Sequence, residues 1–203
     1  MKLLTINSKI SSTSKTLNVR IVNFGITAYK SESGRITCPF ADLCVKYCYA
    51  RKGTYRFKNT RAAYEARYQA TLKDDFVDLM SANLMVQNPH YVRIHDSGDF
   101  YSKKYLMKWV EIINKFPNIR FYAYTNSVSL MKQNSDILPA NLDIIFSTDG
   151  KERHLIDRSK DRHAVIFDSS NDMERHGYIN ASKIDLYATR WFNNDHRVGL
   201  IKH

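Results

Sequence analysis

The stretch Tyr91-Val92-Arg93-Ile94-His95-Asp96-Ser97-Gly98-Asp99, followed by Ser102 to Phe116 and then by Ile119 to Tyr124, decides the fold class. Tyr91 to Ile94 is short and rich in aromatic and β-branched residues, as strands are. Ser102 can cap a helix, and Tyr105, Leu106, Trp109, Val110 and Ile113 then share one apolar face. Pro117-Asn118 stops that helix, and Ile119 to Tyr124 returns to strand. A strand, a helix and a strand at this spacing form a βαβ unit with parallel strands.

The alternation extends in both directions. Towards the C-terminus it predicts a short helix over Ser127 to Gln133 and a strand over Leu142 to Phe146. A charged segment follows at Lys151 to Arg158, then strands over Ala164 to Phe167, Ile184 to Ala188 and Val198 to Ile201. Towards the N-terminus the pattern predicts a strand over Thr5 to Ile10, a turn at Ser11 to Lys15 and a strand over Val19 to Phe24. Thr27 to Tyr47 has no period, and Thr54 to Leu72 and Asp74 to Gln87 read as helices. About six such units are too few for a closed eight-stranded barrel. The expectation is one α/β domain over residues 1–203: a partial, open parallel β/α barrel of about six strands, with a doubly wound sheet as the alternative.

Both architectures gather chemistry at the carboxyl ends of the strands. The segments expected there are polar: His95-Asp96-Ser97-Gly98-Asp99, Thr125-Asn126-Ser127, Ser147-Thr148-Asp149, Asp168-Ser169-Ser170 and Thr189-Arg190. The cysteine-bearing loop follows the first strand of this series.

With 31 Lys and Arg against 20 Asp and Glu, the chain carries a formal charge of +11, which favours an anionic partner such as nucleic acid, a phosphorylated metabolite or an acidic protein; a solvated basic surface is the plain alternative. No run of about 18 apolar residues suggests a membrane span. The start, Met1-Lys2-Leu3-Leu4-Thr5-Ile6-Asn7, lacks the apolar core of a signal peptide. A reducing, cytoplasmic setting is expected. No Gly-rich phosphate loop is present, which argues against an ATP or dinucleotide enzyme.

That setting frames the 3 cysteines, Cys38, Cys44 and Cys48, spaced C-x5-C-x3-C within a loop spanning about residues 34–51. A disulfide framework would be spread along the chain and even in number. Clustered soft thiolates in a reducing compartment point to metal, and three of them can hold a [4Fe-4S] cluster while leaving one iron without a cysteine ligand. A structural Cys3His zinc, with His95 as the fourth ligand, and unliganded thiols are the competing readings.

Lys46-Tyr47-Cys48-Tyr49-Ala50-Arg51 resembles the end of the cluster loop in radical S-adenosylmethionine enzymes, where an aromatic often precedes the last cysteine. The wider pattern is similar to the phage gene product 88 family, through Thr37 to Arg51, Arg93 to Tyr101 and Phe121 to Ser127. The resemblance implies a small radical-enzyme-like barrel in the host cytoplasm, with three cysteine ligands, a reductase for the cluster and an unnamed substrate. In such enzymes a reduced cluster passes an electron to a bound sulfonium, giving a carbon radical. The spacing is longer here than the usual C-x3-C-x2-C. Ser97-Gly98-Asp99 stands where Gly-Gly-Glu would hold the cofactor amine, and no Gly-x-Ile-x-Gly-x-x-Glu segment follows the fifth strand. The resemblance thus assigns S-adenosylmethionine contacts to Ser97, Gly98 and Asp99, and the residues themselves offer Tyr124, Thr125, Asn126, Ser147 and Thr148 as further hydrogen-bonding candidates on the rim. If S-adenosylmethionine is not used, the open iron takes a small ligand or a side chain such as His95, for redox or Lewis-acid chemistry.

Two further readings follow from the residues. His95 and Asp96 can move a proton or ligate metal, whereas an Asp/Ser/Gly turn capping the next helix is the structural alternative. Arg51, Lys52, Arg56, Lys58, Arg61 and Arg67 are interleaved with Tyr49, Tyr55, Phe57, Tyr64 and Tyr68. That mixture suits single-stranded nucleic acid, or an anionic substrate beside the cluster, or simply an amphipathic helix. A nucleic-acid-binding module with a structural metal is the competing functional class. His154, His163, His176 and His196 show no ligand spacing.

Overall fold

A computed structural model describes residues 1–202. Seven strands form one sheet, β1 (Ile21–Phe24), β2 (Tyr91–Ile94), β3 (Arg120–Thr125), β4 (Leu142–Ser147), β5 (His163–Phe167), β6 (Ile179–Asn180) and β7 (Arg197–Ile201). Their spatial order is β1-β2-β3-β4-β5-β7-β6, and every pairing is parallel. The sheet curls into an open half-barrel, as the strand–helix alternation predicts. Val92 pairs with Phe121 and Ile94 with Ala123, so the βαβ unit at the centre of the sequence is the centre of the sheet.

The convex face carries the helices α3 (Lys58–Leu72), α4 (Phe76–Gln87) and α5 (Lys103–Lys115). Ser102 caps α5 by accepting from the Tyr105 amide at 3.2 Å. Trp109, Leu106 and Ile113 of α5 and Phe76, Met80 and Leu84 of α4 are fully buried against Phe24, Val92, Ile94, Phe121 and Ala123. The alternate strand residues Ile21, Tyr91, Tyr122, Ile145, Ala164 and Val198 form a second core on the concave face. Strands covered on both faces read as near-continuous apolar runs. Arg93 interrupts such a run, and its side chain points into the concave side beside Tyr124.

Two sequence expectations fail on that concave side. Thr5 to Ile10 is not a strand. Thr5 makes one antiparallel bridge to Asn23, and Asn7 then accepts from the Ile10 amide at 2.9 Å to start helix α1 (Ser8–Leu17). The helix replaces the expected turn at Ser11 to Lys15 because Ile10 and Thr13 fall on one buried face among the serines. Ile184 to Ala188 is also not a strand. Residues Asp185–Ala188 form a 3₁₀ turn, and the sixth strand is the two-residue β6. The alternation of Ile184, Leu186 and Ala188 imitates a strand. Asp185 is instead drawn fully inside by charge, and Leu186 and Ala188 plug the concave core with it. Thr189-Arg190 consequently leaves the carboxyl rim: the Arg190 guanidinium donates to the carbonyls of Ala140 and Leu142, at the opposite end of β4.

The Asp185 carboxylate accepts from Lys9 Nζ at 2.7 Å, from Arg93 Nη1 at 3.1 Å and from the Tyr122 hydroxyl at 2.6 Å. Burial alone would push this carboxyl up, but Arg93 and Lys9 hold it well below the usual carboxylate range. Removing it strands two cations in the interior, so Asp185→Ala should cost about 3–5 kcal/mol in denaturant unfolding. Because the folded-state pKa is depressed, the contribution of Asp185 is complete above about pH 4 and is lost as pH falls below it. Asp185→Asn should flatten that acid limb of the stability curve relative to the parent chain.

Candidate functional site

The cysteine loop sits at the carboxyl ends of the strands, where the barrel reading predicts it. The Phe40 carbonyl accepts from the Lys151 amide at 2.8 Å, and Ala41 bridges Gly150, just past β4. The Thr37 carbonyl accepts from the Asp99 amide at 3.1 Å, just past β2. The Tyr49 hydroxyl donates to the Asp96 carbonyl. Cys44 opens the one-turn helix α2 (Cys44–Tyr47), which brings Cys48 back towards it.

All three cysteines are free and half-buried. Burial pushes the Cys38 thiol up, and negative charge on Asp99, Cys48 or Cys44 would push it further. Cys44 is raised by burial and then by Cys48. Burial also raises Cys48, opposed by the Ala50 backbone and by Arg51. The three sulfurs are thus electrostatic neighbours that favour the thiol form until a cation compensates them. The Tyr29 amide donates to Cys38 Sγ at 3.3 Å, and Asn126 Nδ2 approaches Cys44 Sγ at 3.9 Å. Among the described residues, no three His, Cys, Asp or Glu side chains are grouped as ligands of one ion. A cubane makes a different demand, because each thiolate binds its own iron. Three free thiols on one loop, with N–H groups directed at two of them, fit that demand.

The remaining candidates divide between core and rim. His95 has φ 64° and turns its ring into the convex core, 4.6 Å from Phe100 and 5.6 Å from Tyr105 between centroids. Its Nε2 meets the Tyr105 hydroxyl at 2.8 Å, and burial pulls the imidazole down to about 3. It is a neutral core histidine whose Nδ1 is buried without a partner. Asp96 Oδ2 accepts from Asn23 at 2.7 Å, Tyr64 at 3.0 Å and Asn7 at 3.3 Å, while its Oδ1 has no partner. Burial raises its pKa against the pull of Arg93.

Asp99 is the clamp of the rim. Its carboxylate accepts from Thr125 Oγ1 at 2.5 Å, the Asn126 amide at 2.9 Å and the Phe100 amide at 2.7 Å. Three of about four acceptor positions are therefore occupied. Burial still raises the carboxyl to about 6. Ser97 accepts through its carbonyl from the Ile26 amide at 2.9 Å. Ser147 ends β4, half-buried, opposite Ala164.

Sequence reasoning missed Lys9, Asp185 and Arg93. A cation inside a short apolar strand was the available signal for Arg93; the other two lie in segments whose structure was misread. It also left open the role of the aromatic–basic segment, which the structure divides. Tyr49, Tyr55 and Tyr64 meet in series, edge-on and then tilted, with centroids 5.7 Å and 5.3 Å apart, and wall a cavity of about 840 Å³. Tyr68 is core, and Arg67 donates to the Gly25 carbonyl at 2.9 Å.

Gly98 lets the β2 loop reach this rim. It has φ +85°, and a Cβ there would lie 2.2 Å from Ile26 Cγ1. Gly98→Ala should cost about 2–5 kcal/mol in denaturant unfolding through strain and overpacking together. Gly53→Ala is the control: it has φ +52° and nothing within 4 Å of its Cβ, so only the backbone cost of about 1 kcal/mol is expected.

The relatives of this chain are phage proteins. It is 27% identical over 125 residues to the gene 88 protein of Mycobacterium phage D29 and 30% identical over 129 residues to that of Mycobacterium phage L5. Each alignment covers 56% of this chain and 52% of the relative, so the chain spans about half the length of the curated relatives it matches. No solved structure matches it. The family model described as Gene product 88 matches residues 1–203, and the chain belongs to that family.

Proposed function

We propose that this chain is an iron–sulfur protein in which Cys38, Cys44 and Cys48 hold a [4Fe-4S] cluster, and that it acts as a radical S-adenosylmethionine-like enzyme on a substrate held in the half-barrel. The observation that carries this reading is the position of the cysteine loop. Three free thiols lie on the carboxyl rim of a parallel half-barrel, and Tyr47 and Tyr49 of the same loop wall the concave cavity. A cluster bound there supplies one-electron transfer and one iron free of cysteine.

The protein's part is placement. The bonds of Phe40 to Lys151 and of Tyr49 to Asp96 fix the loop over β4 and β2. The Tyr29 amide orients Cys38, and Asn126, pinned by Asp99, stands against Cys44. The Tyr49–Tyr55–Tyr64 series narrows water access on the loop side of the cavity. No helix among the described residues is long and apolar enough to cross a membrane.

Asp99 favours a second reading. Its acceptor positions are mostly filled by Thr125, Asn126 and Phe100, which suits a residue that holds the rim more than one that receives a cofactor amine. In this reading the open iron takes a small ligand, for redox or Lewis-acid chemistry, and S-adenosylmethionine is not used.

Anaerobically purified protein should be brown and should contain iron and acid-labile sulfide, and each Cys→Ala change should strip or destabilise the cluster. Stoichiometric zinc without sulfide overturns both readings. With the cluster reduced, S-adenosylmethionine should perturb its electron paramagnetic resonance spectrum and yield 5′-deoxyadenosine. An unchanged spectrum and no cleavage product, in protein with a full cluster, select the second reading.

A further inference from the structure

The concave cavity holds an unsatisfied cationic pair. Lys9 and Arg93 meet one acid, Asp185, whose oxygens are also bonded by the Tyr122 hydroxyl. The buried group therefore carries one positive charge beyond neutrality. Arg93 directs Nη1 at Asp185 and leaves its buried Nε without a partner. Its guanidinium lies 5.0 Å from the centroid of the Tyr124 ring, and the buried Tyr124 hydroxyl is unpartnered too. Lys9, Arg93 and Tyr124 all line the cavity. Unpaired buried polar groups are costly and rare, and two of them belong to side chains that line one cavity.

We infer that this cavity is a binding site for an organic carboxylate, read at its charged end by Arg93, Tyr124 and Lys9 and at its apolar end by Ile166 and Leu200. Lys183 and Lys202 line the same cavity and add to its positive surplus, which an anion offsets, and the planar carboxylate group matches the free edge of a guanidinium. The volume of about 840 Å³ accommodates a ligand of metabolite size with an apolar or aromatic body, for which the Tyr55 and Tyr64 rings supply further wall. In calling the ligand a substrate we rely on the iron–sulfur reading; the recognition of a carboxylate stands on the cavity alone.

Calorimetric titration of the full chain, both metal-free and iron-loaded, tests this with 3-phenylpropanoate and octanoate, their uncharged amides, and phenyl phosphate. At least one carboxylate should bind, more than about tenfold tighter than its amide, since a hydrogen-bonded charge is worth that much. Tyr124→Phe, which keeps the ring, should weaken carboxylate binding about fivefold or more and leave the amide unchanged. Leu200→Trp should fill the cavity and abolish binding with the charged floor intact, while circular dichroism reports folding. Equal affinity for acid and amide, tighter binding of phenyl phosphate, or no binding of either acid to folded protein overturns the proposal. Carboxylate binding by metal-free protein that never accepts a cluster upholds the site and refutes the enzyme reading.

Discussion

The Asp185 carboxylate is the point at which four separate parts of the chain meet. Lys9 comes from α1, Arg93 from β2, Tyr122 from β3, and Asp185 itself from a turn near the C-terminus. β2 and β3 are neighbours in the sheet, with Arg93 opposite Tyr122, but no strand pairing ties α1 or the 185–188 turn to them. Charge does that work instead. A buried acid between two cations penalises every arrangement in which one partner is missing, so the placement of α1 and the 185–188 turn is set by the same group. The Thr13 hydroxyl reinforces it, accepting from the Asp185 amide at 3.0 Å.

At the rim the same logic recurs with carboxylates that lack ion partners in direct contact. Asp96 joins β1, α3 and the N-terminal segment through Asn23, Tyr64 and Asn7. Asp99 joins the β2 loop to the β3 loop through Thr125 and Asn126. Gly25 makes room for the first, since a Cβ there would lie 1.9 Å from Asp96 Oδ1, and Gly150 makes room for Asn126 in the same way. The cysteine loop rests on a surface prepared by these acids and adds turns of its own, from Cys38 to Ala41, Asp42 to Val45 and Cys48 to Arg51.

Much of this was legible in the residues, for reasons that differ by element. The apolar faces of β2, α5 and β3 are unbroken by functional residues, and the Ser102 cap is local, so period and chemistry agreed. The course of the cysteine loop over the carboxyl rim was legible because the loop follows the first strand of a parallel series. Helix α1 was hidden because Ser8, Ser11, Ser12 and Ser14 read as turn residues, and only packing on the concave face reveals Ile10 and Thr13 as a stripe. The 185–188 turn was hidden because its alternation is genuine, while the force that overrides it comes from Lys9 and Arg93, remote in sequence. His95 looked like a ligand on account of its neighbours, yet the left-handed backbone at that residue rotates the ring to the other side of the sheet.

An unclosed sheet has two edges, and this one treats both defensively. On one side Thr5 exchanges two 2.8 Å backbone hydrogen bonds with Asn23, so the outer margin of β1 is partly spoken for. On the other, the outermost strand is two residues long and exposed. Neither margin offers a long, flat row of free amides and carbonyls to a second molecule. The half-barrel can therefore stay open towards a ligand without also being open to strand addition from its neighbours. A wide mouth and unprotected strand edges are thus separate properties, and this fold has the first without the second.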